Sequence, residues 1–130
     1  MSDQAPAIAG IAALAIDCHD PPELARWWSR LLGGTVEVDA DGFATLHTPG
    51  GLAIDFARVP EAKSVKNRMH MCLRPTDRTR DEEIDRLLGL GATLVNDLRK
   101  PDRGWAVLAD PEGNEFCILM RRSDLPAELQ

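Results

Sequence analysis

The sequence predicts an α+β chain of two β-α-β-β-β modules, forming a curved mixed sheet or half-barrel cleft with the helices on the outside. Three observations predict it. A strand-plus-Asp segment occurs twice, a capped amphipathic helix follows each copy, and three strand-like stretches with matched turn chemistry follow each helix. The 130 residues suffice for one ordinary domain made of both modules, residues 11–58 and 67–121.

The first copy runs Ala13-Leu14-Ala15-Ile16-Asp17-Cys18-His19-Asp20 and the second His70-Met71-Cys72-Leu73-Arg74-Pro75-Thr76-Asp77, each a short apolar strand reaching Asp seven residues later. The first helix opens on Asp20-Pro21-Pro22-Glu23, an N-cap with proline in the first turn and an acid three residues on. Leu24, Trp27, Trp28 and Leu31 follow at helical spacing, and Gly33-Gly34 ends it. Adjacent tryptophans lie about 100° apart on a helix, so one is expected in the core and the other on an interface or cleft wall. The second helix opens on the capping box Thr79-Arg80-Asp81-Glu82, continues through Ile84, Leu87 and Leu88, and closes at Leu90-Gly91.

Strands are expected near residues 35–38, 42–47 and 52–57, then near 93–95, 105–109 and 115–120. The last two of each trio are joined by turn residues, Thr48-Pro49-Gly50-Gly51 in the first module and Asp110-Pro111-Glu112-Gly113-Asn114 in the second. The second module lies about 57 to 62 residues after the first. Residues 58–66 read as the linker, 97–104 as a polar loop long enough to be mobile, and 1–6 and 123–130 as solvated tails.

Side chains alternate across a strand, which sorts the faces. Leu14 and Ile16 oppose Ala13, Ala15 and Asp17; Ile54 and Phe56 oppose Ala53, Asp55 and Ala57. Met69, Met71 and Leu73 oppose His70, Cys72 and Arg74, while Phe116, Ile118 and Met120 oppose Glu115, Cys117 and Leu119. One face suits helix packing; the other is too sparse to fill a close-packed core and reads either as a ligand cleft or as the solvated side of an antiparallel sheet.

Composition narrows the function classes. The chain is 44% hydrophobic and 28% charged, the profile of an ordinary globular protein. A net charge of −6 without a basic stripe argues against nucleic acid as a partner. No apolar run approaches the ~20 residues of a membrane span and residues 1–10 lack signal-peptide character, so no membrane partner and a cytoplasmic location are expected. Cys18, Cys72 and Cys117 are too widely spaced for a zinc finger and odd in number, and read as reduced thiols.

Lys63, Lys66 and Arg68 form a basic cluster ahead of the His70 strand, facing either solvent or a ligand anion. Trp105, following the polar loop, is either a ligand-stacking lid residue or plain strand packing. His19 and His47 have no partner that spacing reveals.

The two β-α-β-β-β units, the helix closures Leu32-Gly33 and Leu90-Gly91-Ala92, and the segment Leu108-Ala109-Asp110-Pro111-Glu112-Gly113-Asn114-Glu115-Phe116 resemble the vicinal oxygen chelate superfamily. Lys66-Asn67-Arg68-Met69-His70 resembles its glyoxalase-like branch, and the bleomycin resistance proteins share the fold. The resemblance covers residues 11 to about 120 and implies a metal site at Ala13, Asp55, His70 and Cys117. Ala13 cannot ligate and Cys117 stands in place of an acid, so the expectation is no bound cofactor, or at most weak zinc on Asp55, His70 and Cys117.

The leading expectation is therefore a small-molecule-binding protein whose cleft takes an organic ligand among Ala13, Asp17, Cys72, Trp105, Glu115 and Cys117. The alternative is a lyase, isomerase or epimerase acting next to a carbonyl through His70 and Asp55, with or without a divalent metal. Both cysteines read more readily as small buried apolar groups than as nucleophiles. A homodimer is expected, from the exposed strand edges and from the habit of the resembling family.

Overall fold

A computed structural model of the chain describes residues 7–130, so the tail expected at residues 1–6 lies outside the described residues. Two compact units divide at Ala62/Lys63, inside the segment read as a linker.

In the first unit the elements are β1 (Ala13–Cys18), α1 (Pro21–Leu32), β2 (Thr35–Val38), β3 (Ala44–His47) and β4 (Ala53–Arg58), forming an open sheet of order β1-β4-β3-β2. β1 and β4 are parallel; the other pairs are antiparallel. The helix starts where predicted: Asp20 Oδ1 accepts from the Glu23 N–H at 3.2 Å and prolines occupy the first turn, where no intrahelical donor is lost.

Helix α1 packs on the sheet through Leu24, Ala25 and Trp28, against a face carrying the fully buried Leu46, Ile54 and Phe56. The two tryptophans depart from expectation, because Trp27 (5% exposed) and Trp28 (1%) are both buried. Their rings meet edge to face, centroids 5.4 Å apart and planes at 82°, so each covers part of the other and the buried arc of the helix is wider than one stripe.

The second unit repeats the design with β5 (Met71–Leu73), α2 (Arg80–Gly89), β6 (Thr93–Asp97), β7 (Ala106–Ala109) and β8 (Glu115–Ile118), in the order β5-β8-β7-β6 and again with only the β5–β8 pair parallel. The predicted capping box is complete: Thr79 Oγ1 accepts from the Glu82 N–H and the Glu82 carboxylate accepts from the Thr79 N–H at 2.8 Å. Helix α2 buries Ile84 and Leu87, and Phe116, Leu108 and Ile118 fill the core. Among the described residues no helix is long and apolar enough to cross a membrane. The tail expected at 123–130 carries two short 3-10 turns, Arg122–Asp124 and Ala127–Leu129, without buried residues.

One sequence expectation for this unit needs correction. Alternation puts Met69 on the helix-facing side of a strand, yet it is 84% exposed, because β5 begins only at Met71, level with Phe116. The preceding residue of β8, Glu115, is occupied instead by Asn67.

The polar loop 97–104 is tethered rather than free. The buried Arg80 guanidinium donates to the carbonyls of Lys100 (2.9 Å), Arg103 (2.7 Å) and Gly104 (3.1 Å), while the Leu98 N–H donates to the Trp105 carbonyl at 2.9 Å. Asp97 and Arg99 pair beside it, with Arg99 reaching Asp81 as well. Trp105 therefore stands near the closed end of a hairpin, ahead of β7, and is exposed.

Candidate functional site

Cross-strand register builds the site in rows. In the first unit Ala15, Asp55, Thr45 and Glu37 lie side by side across β1, β4, β3 and β2. In the second, Cys72, Cys117, Val107 and Asn96 take the same places across β5, β8, β7 and β6. The predicted offsets are reproduced, since Ala15 and Cys72 stand 57 residues apart and Asp55 and Cys117 stand 62 apart.

The first row lies on the sparse face. Ala15, Asp17 and Asp55 are exposed, whereas Ile54 and Phe56, their neighbours on β4, are buried beneath the helix. Asp55 Oδ1 accepts from the Thr45 hydroxyl at 2.9 Å, which orients the carboxylate across the sheet. Ala13 is partly exposed and level with Ala53, one row away from Asp55. On the same sheet His47 meets Glu37 at 3.3 Å, and His19 contacts the Glu61 carbonyl at 3.0 Å.

In the second unit His70, Cys72 and Cys117 converge, their ligating atoms all within 4.8 Å of one another. His70 Nδ1 lies 3.5 Å from Cys117 Sγ and 3.9 Å from Cys72 Sγ. His70 and Cys72 are exposed and Cys117 is buried at the floor. Burial, reinforced by the neighbouring Cys72 thiol, pushes Cys117 up to about 11, so it stays a thiol at neutral pH and can donate to Nδ1. Spacing in sequence placed no histidine beside either cysteine; the parallel β5–β8 pairing does.

Glu115 has a structural task. Its Oε1 accepts from the Asn67 N–H at 2.9 Å and from Lys66 Nζ at 3.3 Å, while its own N–H donates to Asn67 Oδ1 at 3.0 Å. Burial of the Glu115 side chain works to raise its pKa, but the Asn67 N–H and the lysine outweigh it and hold the carboxyl below its ordinary value. Of the basic cluster, Lys66 is thus spent on Glu115. The only sequence signal for the Asn67 contribution is an Asn three residues before His70.

Two thiols and an imidazole suit a borderline or soft ion such as zinc, which accepts Cys and His together, and suit a hard oxygen-seeking ion poorly. His70 and Cys117 are two of the three donors expected from the sequence. Cys72, read there only as part of the cleft, supplies the third within this unit.

The family model for the glyoxalase-like domain matches residues 13–119. No curated protein sequence matches the chain. Among solved structures, a glyoxalase/bleomycin resistance protein/dioxygenase family enzyme from Burkholderia phytofirmans is similar at 21% identity, with 83% of this chain and 95% of that one covered and a TM-score of 0.64. Fosfomycin resistance protein FosX from Listeria monocytogenes, complexed with Mn(II) and dihydroxypropylphosphonic acid, is similar at 12% identity, with 94% of each chain covered and a TM-score of 0.70. FosX from Mesorhizobium loti is similar at 15% identity, covering 86% of this chain and 92% of that one, with a TM-score of 0.67.

Proposed function

The chain belongs to the glyoxalase-like domain family, and we propose that it binds a small organic molecule on the sparse faces of its sheets without transforming it. One observation carries this reading: exposed Ala15 and Asp17 alternate with half-buried Leu14 and Ile16 on β1, and exposed Asp55 with buried Ile54 and Phe56 on β4, leaving a floor of small and polar groups that a ligand can cover. In the second unit, considered by itself, His70 and Cys72 are likewise exposed.

Binding is preferred to proton abstraction by a His70–Asp55 pair because the two groups serve different partners. Asp55 accepts from Thr45, and His70 Nδ1 is turned to the two sulfurs. The solved relative with a phosphonate suggests the ligand class to screen first, small organic acids and phosphonates.

A homodimer is part of the proposal, since β1 and β2 in one sheet and β5 and β6 in the other are edge strands within their own sheets. Sedimentation velocity of the full chain tests it, with a monomer at micromolar concentration counting against it.

Thermal-shift screening against such acids, dihydroxypropylphosphonate included, tests the binding itself. A true ligand at a hundred times its Kd stabilises the folded state by about 2.7 kcal/mol. Asp55→Ala should remove that gain for a ligand seated on the first sheet, and His70→Ala for one seated on the second. A ligand that stabilises both variants as well as the parent would place its site elsewhere, and turnover of the ligand would replace binding by catalysis.

A further inference from the structure

We infer that His70, Cys72 and Cys117 form a three-donor zinc site lying wholly within the second unit, with a fourth position open on its exposed side. The inference stands independently of the organic ligand and differs from the family-derived set, because Cys72 takes the part there assigned to Asp55.

Geometry carries it. Zinc–nitrogen bonds of about 2.05 Å and zinc–sulfur bonds of about 2.3 Å at a tetrahedral angle put nitrogen and sulfur ligands about 3.6 Å apart. His70 Nδ1 lies 3.5 Å from one sulfur and 3.9 Å from the other. Both nitrogen–sulfur separations therefore match a zinc tetrahedron within a few tenths of an ångström, and the two sulfurs, within 4.8 Å of one another, would close to about 3.8 Å around the ion.

The backbone fixes that spacing. Cys72 and Cys117 are direct partners in the parallel β5–β8 ladder, so their side chains leave the sheet on one side at adjacent positions. His70 precedes β5 and is held by the Asn67–Glu115 clasp three residues earlier. Cys117 is buried while His70 and Cys72 are exposed, so the ion would sit on a buried sulfur with its remaining position toward solvent. Two sulfurs and one nitrogen with an open place is a donor set that zinc accepts in catalytic sites, binding releasing the Cys72 and Cys117 protons to solvent as both become thiolates. Manganese, the ion bound by the fosfomycin resistance relative, prefers oxygen donors that this cluster lacks.

The test uses the full chain, stripped of metal by chelation and reduced, with three free thiols verified and circular dichroism confirming the fold. Zinc titrated against a chromophoric chelator should bind at one ion per chain, and manganese titrated in the same way should bind far more weakly. Cobalt(II) loaded in its place should give the intense visible bands of tetrahedral geometry and thiolate-to-cobalt charge transfer in the near ultraviolet. Cys72→Ser, at an exposed position that the core does not need, should weaken zinc by more than about tenfold, the loss that an outer-shell partner alone can cost. It should also diminish the charge-transfer band, and His70→Ala should weaken zinc likewise, while Asp55→Asn leaves affinity and spectrum unchanged. Failure of the folded, reduced chain to bind zinc, undiminished binding in Cys72→Ser, or loss of binding in Asp55→Asn would each overturn the assignment.

Discussion

Asn67 and Glu115 hold one another reciprocally: the backbone N–H of each donates to the side-chain oxygen of the other, at 2.9 and 3.0 Å. Forty-eight residues apart in sequence, they pin the segment leading to His70 onto the first residue of β8, two positions before Cys117. The sulfur–imidazole spacing thus depends on a pair that itself touches no sulfur.

Breaking that clasp should cost stability. Glu115→Ala removes the acceptor of both Asn67 and Lys66 and is expected to destabilise the fold by about 1–3 kcal/mol, with Asn67→Ala somewhat milder at about 1 kcal/mol. Each variant removes its own bond to the other's backbone, but both bonds fix the same segment, so the double variant should lose less than the sum of the two, and chemical denaturation of all four proteins measures the coupling.

Arg80 should prove costly to replace. Its guanidinium, only 4% exposed, gathers three loop carbonyls, and Arg80→Ala is expected to destabilise by about 2–3 kcal/mol. Hydrogen exchange of the amides of Leu98 and Lys100, which close the loop, should accelerate in the variant beyond what its global stability explains. Arg80→Lys should rescue little, since an ammonium cannot span three carbonyls in one plane.

Acid should release Asp97 and Glu115 at the low end of the pH range. Arg99, bonding through its side chain and then through its own backbone N–H, lowers Asp97 from the ordinary 3.8 to about 2. A carboxylate depressed by folding contributes stability that is present above its unfolded pKa and is lost as pH falls through the folded value. The Asp97 contribution should therefore be complete above about pH 4 and vanish toward pH 2, while that of Glu115 fades below its ordinary 4.5. Carbon-detected titration of the Asp97 carboxyl checks this, and Arg99→Ala should return its pKa toward 3.8.

Gly34→Ala should be poorly tolerated. Gly34 has φ +89°, and a methyl group there would lie 2.0 Å from the His47 carbonyl oxygen, backbone that cannot swing aside. The expected loss exceeds about 1 kcal/mol, while Gly50→Ala, which meets nothing and has no positive φ, should be close to neutral in the same thermal unfolding assay.

Periodicity and capping chemistry made the fold readable. Asp20 and Thr79 start helices as their side chains require, and the turn residues separate β3 from β4 and β7 from β8. Face alternation placed Asp55 and His70 on exposed positions, in contrast to Ile54 and Phe56. Less was readable where a contact joins distant segments. Arg80 looked like one charge in a helix cap, yet its length lets it reach carbonyls 20 to 24 residues away. Asn67 fixes where β5 may begin, and no local pattern reports the partner that consumes Glu115. The meeting of His70 with two thiols needed the register of a parallel pair, which alternation alone leaves undetermined.

The repeated register also gives the molecule an internal blank. Where the second unit sets Cys72 opposite Cys117, the first sets Ala15 opposite Asp55 on the same kind of parallel ladder, with Ala13 in the place of His70. One scaffold thus appears twice, once furnished with sulfur and nitrogen and once nearly bare. Ala13→His, Ala15→Cys and Asp55→Cys would set the donor triad on the bare copy without the Asn67–Glu115 clasp, and a chain that then carried two zinc ions would show the ladder alone to be a portable mount for metal.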